Sequence, residues 1–256
     1  MTLLPFENQE ILDKEKQRAA ATALRWVRNG MVLGLGSGST AAHFIILLGE
    51  QVRAGLQVQA TATSRASEEL ARHAGIPLLE PRRGLRFDLT VDGADELDPH
   101  LRLIKGGGGA LLREKVLATA SDYLLIIADS SKEVAQLGRF PLPLEVTPFA
   151  LPWVLDAVAN LGGAPVVRPD KQHADELARS DQGNLLVDCH FTVISDPERL
   201  ASQLQSVPGI MEQGLFLGLA HAAVIAHGEQ VLVLRAGVPP IAASTFAELP
   251  QRLASV

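Results

Sequence analysis

The chain has 256 residues, 47% of them hydrophobic, and carries a formal net charge of −6. That length buries a core without disulfides or a structural metal, and the mild acidity, with no long Lys/Arg run, excludes a nucleic-acid footprint. The single cysteine, Cys189, forms no internal disulfide; with no apolar run of about 18 residues and no signal-peptide core before Lys16, a soluble cytoplasmic protein without membrane partners is expected.

Strands and helices alternate from the start. Residues 10–28 read as a charged, Ala-rich helix stopped by Gly30, and 31–35 as a short strand ending in Gly36-Ser37-Gly38-Ser39-Thr40. A helix over 41–52, a strand over 58–62 and a helix over 67–74 follow, then strands at 76–79 and 87–91. A helix is expected over 111–120, and a buried strand over 123–128 that runs into Asp129-Ser130-Ser131-Lys132. This alternation predicts a mostly parallel sheet covered on both faces, with ligands beyond the carboxyl ends of its strands.

After Phe140-Pro141-Leu142-Pro143 the order becomes strand (144–147), helix (148–160), two strands (165–168, 185–191), helix (197–206) and a short strand around Leu215. That is the split order of a ferredoxin-like domain. Residues 222–226 and 230–235 read as a hairpin returning to the first sheet, and 245–254 as a terminal helix. The expected fold is α/β: a three-layer αβα Rossmann-like domain from residues 1–140 and 219–256, plus a smaller ferredoxin-like α+β domain over 141–218.

Three segments carry chemistry. In Gly34 to Thr40, glycines turn backbone amides inward at a helix start, and Ser37, Ser39 and Thr40 add hydroxyl donors, which suits a phosphate. A dinucleotide fingerprint would need glycine where Ser39 stands. The second segment, Val91-Asp92-Gly93-Ala94-Asp95-Glu96-Leu97-Asp98, is dense in carboxylates. It fails the EF-hand pattern at Ala94 and Leu97, and the seven histidines show no metal-ligand pairing, so no metal and no cofactor are expected. Glu96 or Asp98 is expected to cap backbone amides instead. The third is Lys105-Gly106-Gly107-Gly108-Gly109 before a helix bearing Arg113-Glu114-Lys115. Four glycines cost chain entropy that an ordinary turn does not require, whereas close approach of backbone to a ligand does. Moving a proton between adjacent carbons through an enediolate takes a carboxylate base and a cation for the oxyanion. Asp92, Asp95, Lys105 and Glu114 supply one such set, and desolvation would strengthen Glu114 as a base.

Together GLGSGST (34–40), VDGADELD (91–98), IKGGGGALLREK (104–115), ADSSK (128–132) and LGRFPLPLEV (137–146) resemble ribose-5-phosphate isomerase of the A type. The resemblance implies metal-independent interconversion of ribose 5-phosphate and ribulose 5-phosphate in the non-oxidative pentose phosphate pathway, by a homodimer or dimer of dimers joined through the ferredoxin-like domain. It makes Glu114 the proton-transferring residue, Lys105 the cation at the enediolate oxygens, and Asp92 and Asp95 the contacts to sugar hydroxyls. It assigns Ser37, Gly38, Ser39 and Thr40 to the phosphate, and Gly93, Ala94, Gly106, Gly107, Gly108, Lys132 and Lys16 to substrate binding. His221-Ala222-Ala223, Gly109 and Leu112 depart from the family's usual residues. The alternative is a sugar-phosphate-sensing binding module on the same fold, which would keep the phosphate loop without needing Glu114.

Overall fold

The computed structural model describes residues 5–170, 173 and 175–246, so the helix expected over 245–254 lies, beyond Phe246, outside the described residues. In chain order the elements begin α1 (Pro5–Leu24), β1 (Val32–Leu35), α2 (Ser39–Arg53), β2 (Gln59–Ala62), α3 (Arg65–His73), β3 (Leu89–Asp92), β4 (Glu96–Leu97), β5 (Leu103–Ile104), α4 (Leu111–Thr119) and β6 (Leu124–Asp129). They continue with a 3-10 turn (Ser130–Lys132), β7 (Leu142–Val146), α5 (Leu151–Asn160), β8 (Ala164–Val167), β9 (Leu185–His190), α6 (Pro197–Gln205), β10 (Ile210–Gln213), β11 (Leu215–Phe216), β12 (Ala222–His227), β13 (Gln230–Arg235) and β14 (Val238–Ala242). Two compact units result: one takes the chain up to Gly93, Val116–Lys132 and the part from Leu219 on, the other Ala94–Lys115 and Glu133–Gly218.

The first unit is built on a seven-stranded sheet of order β14-β13-β12-β6-β3-β1-β2. From β2 through β12 neighbouring strands are parallel, and the β12–β13–β14 meander closes the other edge antiparallel. All six residues of β6 are buried, the two-sided burial that an apolar run without alternation predicts. Leu33, Leu35, Leu89, Val91, Leu125, Ile127 and Val224 pack with Phe44, Ile45 and Leu48 of α2 and with Ala19, Ala20 and Ala23 of α1 in one core. The small alanines let α1 lie close to the sheet.

Residues 76–79 and β14 depart from the expected pattern, and β10 rather than the strand around Leu215 completes the ferredoxin-like order. Residues 76–79 make only a bridge between Leu78 and Ala60, because Pro77 has no amide to extend a ladder. β14 was hidden by Pro239-Pro240, residues tolerated only on an edge strand, which is where it sits.

The second unit holds a four-stranded antiparallel sheet of order β10-β7-β9-β8, the ferredoxin-like arrangement, with Leu142, Leu144, Val146, Val187 and Cys189 on the face packed against Val154, Val158, Leu200 and Leu204. Burial of the Cys189 thiol, followed by the neighbouring Asp188 charge, raises its pKa to about 12, as fits an inert core residue. This unit takes in more than residues 141–218. β4, β5 and β11 form a small antiparallel sheet, and buried Glu96 accepts the amides of Gly138 (2.8 Å) and Phe140 (2.6 Å), which ties 94–115 and 133–140 to it.

At the start of β6 the departure at His221 has a structural use. Its Nδ1 accepts the Leu124 amide at 3.0 Å, its own amide donates to the Leu124 carbonyl, and its ring stacks on Tyr123 at 4.7 Å while keeping an exposed edge. Burial lowers its pKa, and only the neutral ring can accept at Nδ1. The unfolded chain protonates near pH 6.5, above the folded pKa, so stability from this group is present above that pH and falls as the pH drops through the window between the two. In thermal melts at pH 7.5 and 5.5, the wild type should lose more stability than His221→Asn, which keeps an acceptor but does not titrate. Equal losses would refute this.

Candidate active site

In a mostly parallel sheet a crevice opens where the strand order reverses direction. In the first unit the chain goes from β1 outward to β2, then back across to β3, so β1 and β3 flank that point. Residues 36–40 leave β1 here, and Asp92 ends β3. Asp92 is 1% exposed, and its Oδ1 accepts the amides of Ser37 (3.1 Å) and Gly93 (2.7 Å). Gly36 has to be glycine: a Cβ there would land on the Asp92 carboxylate. Its carbonyl accepts the Ser67 hydroxyl at 2.8 Å, which fixes the loop from the other side.

Gly38, at φ +88°, turns the chain into α2, and no side chain caps that helix. The first amides of α2 and the exposed Ser39 hydroxyl therefore face outward at the positive end of a 15-residue helix, a ready anion site. Thr40 is buried beneath them. Lys132 ends the 3-10 turn after β6, and Lys16 lies half-buried on α1. Glu15, beside Lys16, joins the two elements: its Oε2 accepts the Ser130 amide (3.0 Å) and hydroxyl (2.7 Å), and its Oε1 the Gly228 amide (2.6 Å). Burial pushes the Glu15 carboxyl up, but these donors outweigh it and hold the pKa below the ordinary value.

The second unit gathers Asp95, Lys105, the glycine run and Glu114. Pairing of β5 with β4 and β11, and the Lys105 amide donated to the Gly214 carbonyl at 2.9 Å, set the lysine at the lip of the loop. Its side chain is 3% exposed and lies over the Phe216 ring. Glu114 is in the first turn of α4 and 5% exposed, and its Oε2 stands 3.4 Å from Lys105 Nζ. Asp95 Oδ2 accepts the Gly107 amide at 2.7 Å, so close that a Cβ at Gly107 would meet Asp95 Oδ1 at 2.6 Å. Gly106 and Gly109 take positive φ, 104° and 83°, while the Cβ position of Gly108 meets open space.

Glu96 and Asp98 are used up by their own chain, as expected; Asp98 accepts the amides of His100 and Arg102 and the Arg102 Nε. Sequence reasoning missed Glu15, Phe216 and the Arg168–Asp188 pair, whose guanidinium donates to the carbonyls of Gly106 and Gly107. None had a local signal: Glu15 and Phe216 reach their partners, and Arg168 the glycine carbonyls, over some sixty or more residues of chain, and Asp188 reaches the Arg168 guanidinium.

The sequence profile described as ribose 5-phosphate isomerase A (phosphoriboisomerase A) matches residues 59–230. The ribose-5-phosphate isomerase A of Nitrobacter hamburgensis is 50% identical over 227 residues, 87% of this chain and 98% of the relative. That of Bradyrhizobium diazoefficiens is 48% identical over 89% of this chain and 98% of the relative. Among solved structures, ribose 5-phosphate isomerase A from Methanocaldococcus jannaschii superposes with a TM-score of 0.83 at 35% identity, covering 87% of this chain and 99% of that one. A D-ribose-5-phosphate isomerase in complex with phospho-erythronic acid gives 0.85 at 33% identity, covering 88% and 99%.

Replacing Gly36 with alanine should push Asp92 from its place between the Ser37 and Gly93 amides. We expect a loss of about 1–3 kcal/mol from overpacking and a raised KM for a phosphorylated substrate, read by denaturant melts and steady-state kinetics.

Proposed function

Because the chain belongs to the ribose 5-phosphate isomerase A family, we propose that it is an aldose–ketose isomerase interconverting D-ribose 5-phosphate and D-ribulose 5-phosphate, with Glu114 moving the proton. The observation that carries the assignment of roles is the buried pair: Lys105 Nζ 3.4 Å from Glu114 Oε2, at 3% and 5% exposure. Glu114 takes the proton from C2 of the open-chain aldose, leaving an enediolate, and returns it to C1 while the hydroxyl proton on O2 passes to O1, which gives the ketose. Lys105 faces the oxygen on which negative charge develops, where a preformed cation in a water-poor place acts most strongly. Asp92 and Asp95 orient the sugar hydroxyls and assist ring opening. Ser37, Gly38, Ser39 and Thr40 at the start of α2, with Lys132 and Lys16, hold the phosphate. Gly93, Ala94 and Gly106 to Gly108 bring backbone to the sugar.

The relative's phospho-erythronic acid complex supports this reading, since a carboxylate at one end of a short sugar-acid phosphate has the planarity and charge of an enediolate. A sensing module would have no use for the buried Lys105–Glu114 pair. The enzyme serves the non-oxidative pentose phosphate pathway in the cytoplasm as a homodimer or dimer of dimers. Exposed Phe149 (86%) and Trp153 (62%), whose rings lie tilted against each other in the second unit, support its role in assembly.

Glu114→Gln should lower kcat with ribose 5-phosphate by at least about 10³, within the reach of general acid–base catalysis, while phospho-erythronic acid still binds. Near-normal turnover would sink the assignment. Lys105→Ala should cost kcat far more than KM, because its partner charge is greatest near the transition state. A chelator should leave turnover unchanged.

A further inference from the structure

The glycine run has to hold one backbone course although its residues have the widest conformational choice of any. The second unit supplies a constraint from the chain just after β8. Arg168 donates to the Gly106 carbonyl from Nη1 and Nη2, both at 3.3 Å, and to the Gly107 carbonyl from Nη1 at 3.1 Å. Asp188 on β9 grips the same guanidinium in bidentate fashion, Nε at 2.8 Å and Nη2 at 2.5 Å. Both side chains are largely buried, at 12% and 21% exposure. A planar fork held on one edge by a carboxylate has little freedom left at its other edge.

In a trans peptide the carbonyl and the following N–H point in opposite directions. Drawing the Gly106 carbonyl to Arg168 therefore turns the Gly107 N–H the other way, where it meets Asp95 Oδ2 at 2.7 Å. Drawing the Gly107 carbonyl to Arg168 turns the Gly108 N–H away from the guanidinium, beside a residue whose Cβ position opens onto empty space. Donation to the two carbonyls also polarises both peptides, making their N–H groups stronger donors.

We propose that Arg168, locked by Asp188, is a positioning residue for the isomerisation: it aims the Gly108 amide at the substrate's reacting end as a second donor to the enediolate beside Lys105. This rests on the Glu114 and Lys105 roles given above. It extends the site to two residues that touch no substrate and act through the loop.

The test uses the full chain as wild type, Arg168→Met, Arg168→Lys, Asp188→Asn and the double variant Arg168→Met/Asp188→Asn. Steady-state kinetics with ribose 5-phosphate are read beside calorimetric binding of phospho-erythronic acid and of inorganic phosphate. Loss of one preorganised donor through loop displacement predicts a fall in kcat of about 30–100-fold for Arg168→Met, with KM within about threefold. Asp188→Asn should lose less, and the double variant should be no worse than Arg168→Met, since Asp188 acts only through Arg168. Phospho-erythronic acid should bind more weakly in step with kcat, and inorganic phosphate unchanged. A kcat within twofold of wild type, losses that multiply in the double variant, or a parallel loss of phosphate affinity would overturn the proposal. Should Arg168→Met not fold, Arg168→Lys decides: a single ammonium cannot hold two carbonyls and a carboxylate in plane, so unchanged kcat there overturns it as well. If the wild type does not isomerise ribose 5-phosphate, both readings fall; if it does and only the Arg168 variants behave as wild type, the proposed function stands and this one does not.

Discussion

Two opposite charges lie almost out of reach of water in the second unit, Lys105 at 3% exposure and Glu114 at 5%. Removing such ions from water costs several kcal/mol each, and their mutual attraction offsets this only when geometry is tightly held. Much of the surrounding structure does that holding. The three-stranded sheet of β4, β5 and β11 fixes the backbone of Lys105, and the first turn of α4 fixes that of Glu114. Between Lys105 and the start of α4 run only glycines and Ala110, so the course of that short link is set by outside contacts: Arg168 on its carbonyls, Asp95 on one amide, and Pro143 and Leu186 against its bare faces. A bridge placed for stability alone would be replaced at little cost by apolar side chains. Retaining charge in a dry place makes sense where charge is moved.

The first unit solves a different problem, recognition of an anion by neutral groups. Its solution is positional: the reversal of strand order between β1 and β3 leaves a gap at the carboxyl ends, and the loop entering α2 fills it with amides. Asp92 is part of that loop's scaffold as well as a candidate for the sugar hydroxyls, since its Oδ1 gathers the amides of Ser37 and Gly93. Close approach at Gly36 makes this economical in space and intolerant of any side chain.

How much of this could be read from the residues alone follows the range of the interactions. Glycine runs, carboxylate clusters and apolar strands are local, so most of the elements, the parallel sheet and the ferredoxin-like arrangement were legible, and the same local signals single out Asp92, Asp95, Lys105 and Glu114 as candidates. Glu96 and Asp98 were separable from Asp92 and Asp95 only as a generality, and the amides of Gly138 and Phe140 show why Glu96 belongs to the scaffold. Arg168, Asp188 and Glu15 carried no local signal: Arg168 and Glu15 bind backbone groups far along the chain, and Asp188 binds the Arg168 guanidinium. Prolines misled in both directions: Pro77 weakened an expected strand, and Pro239-Pro240 concealed a real one on the sheet's edge.

The pairing of β6 with β12 joins Leu125 to Ala222 and Asp129 to Ala226, nearly a hundred residues later. On the ribosome, β6 emerges long before its neighbour and presents six consecutive apolar or edge-forming residues with one flank of backbone groups unpaired. The sheet of the first unit cannot close until synthesis has passed His227, after the whole of the second unit's sequence has appeared. Nascent chains are thus exposed to mispairing while about a hundred further residues are made, and pauses between Leu124 and His227 would prolong that exposure.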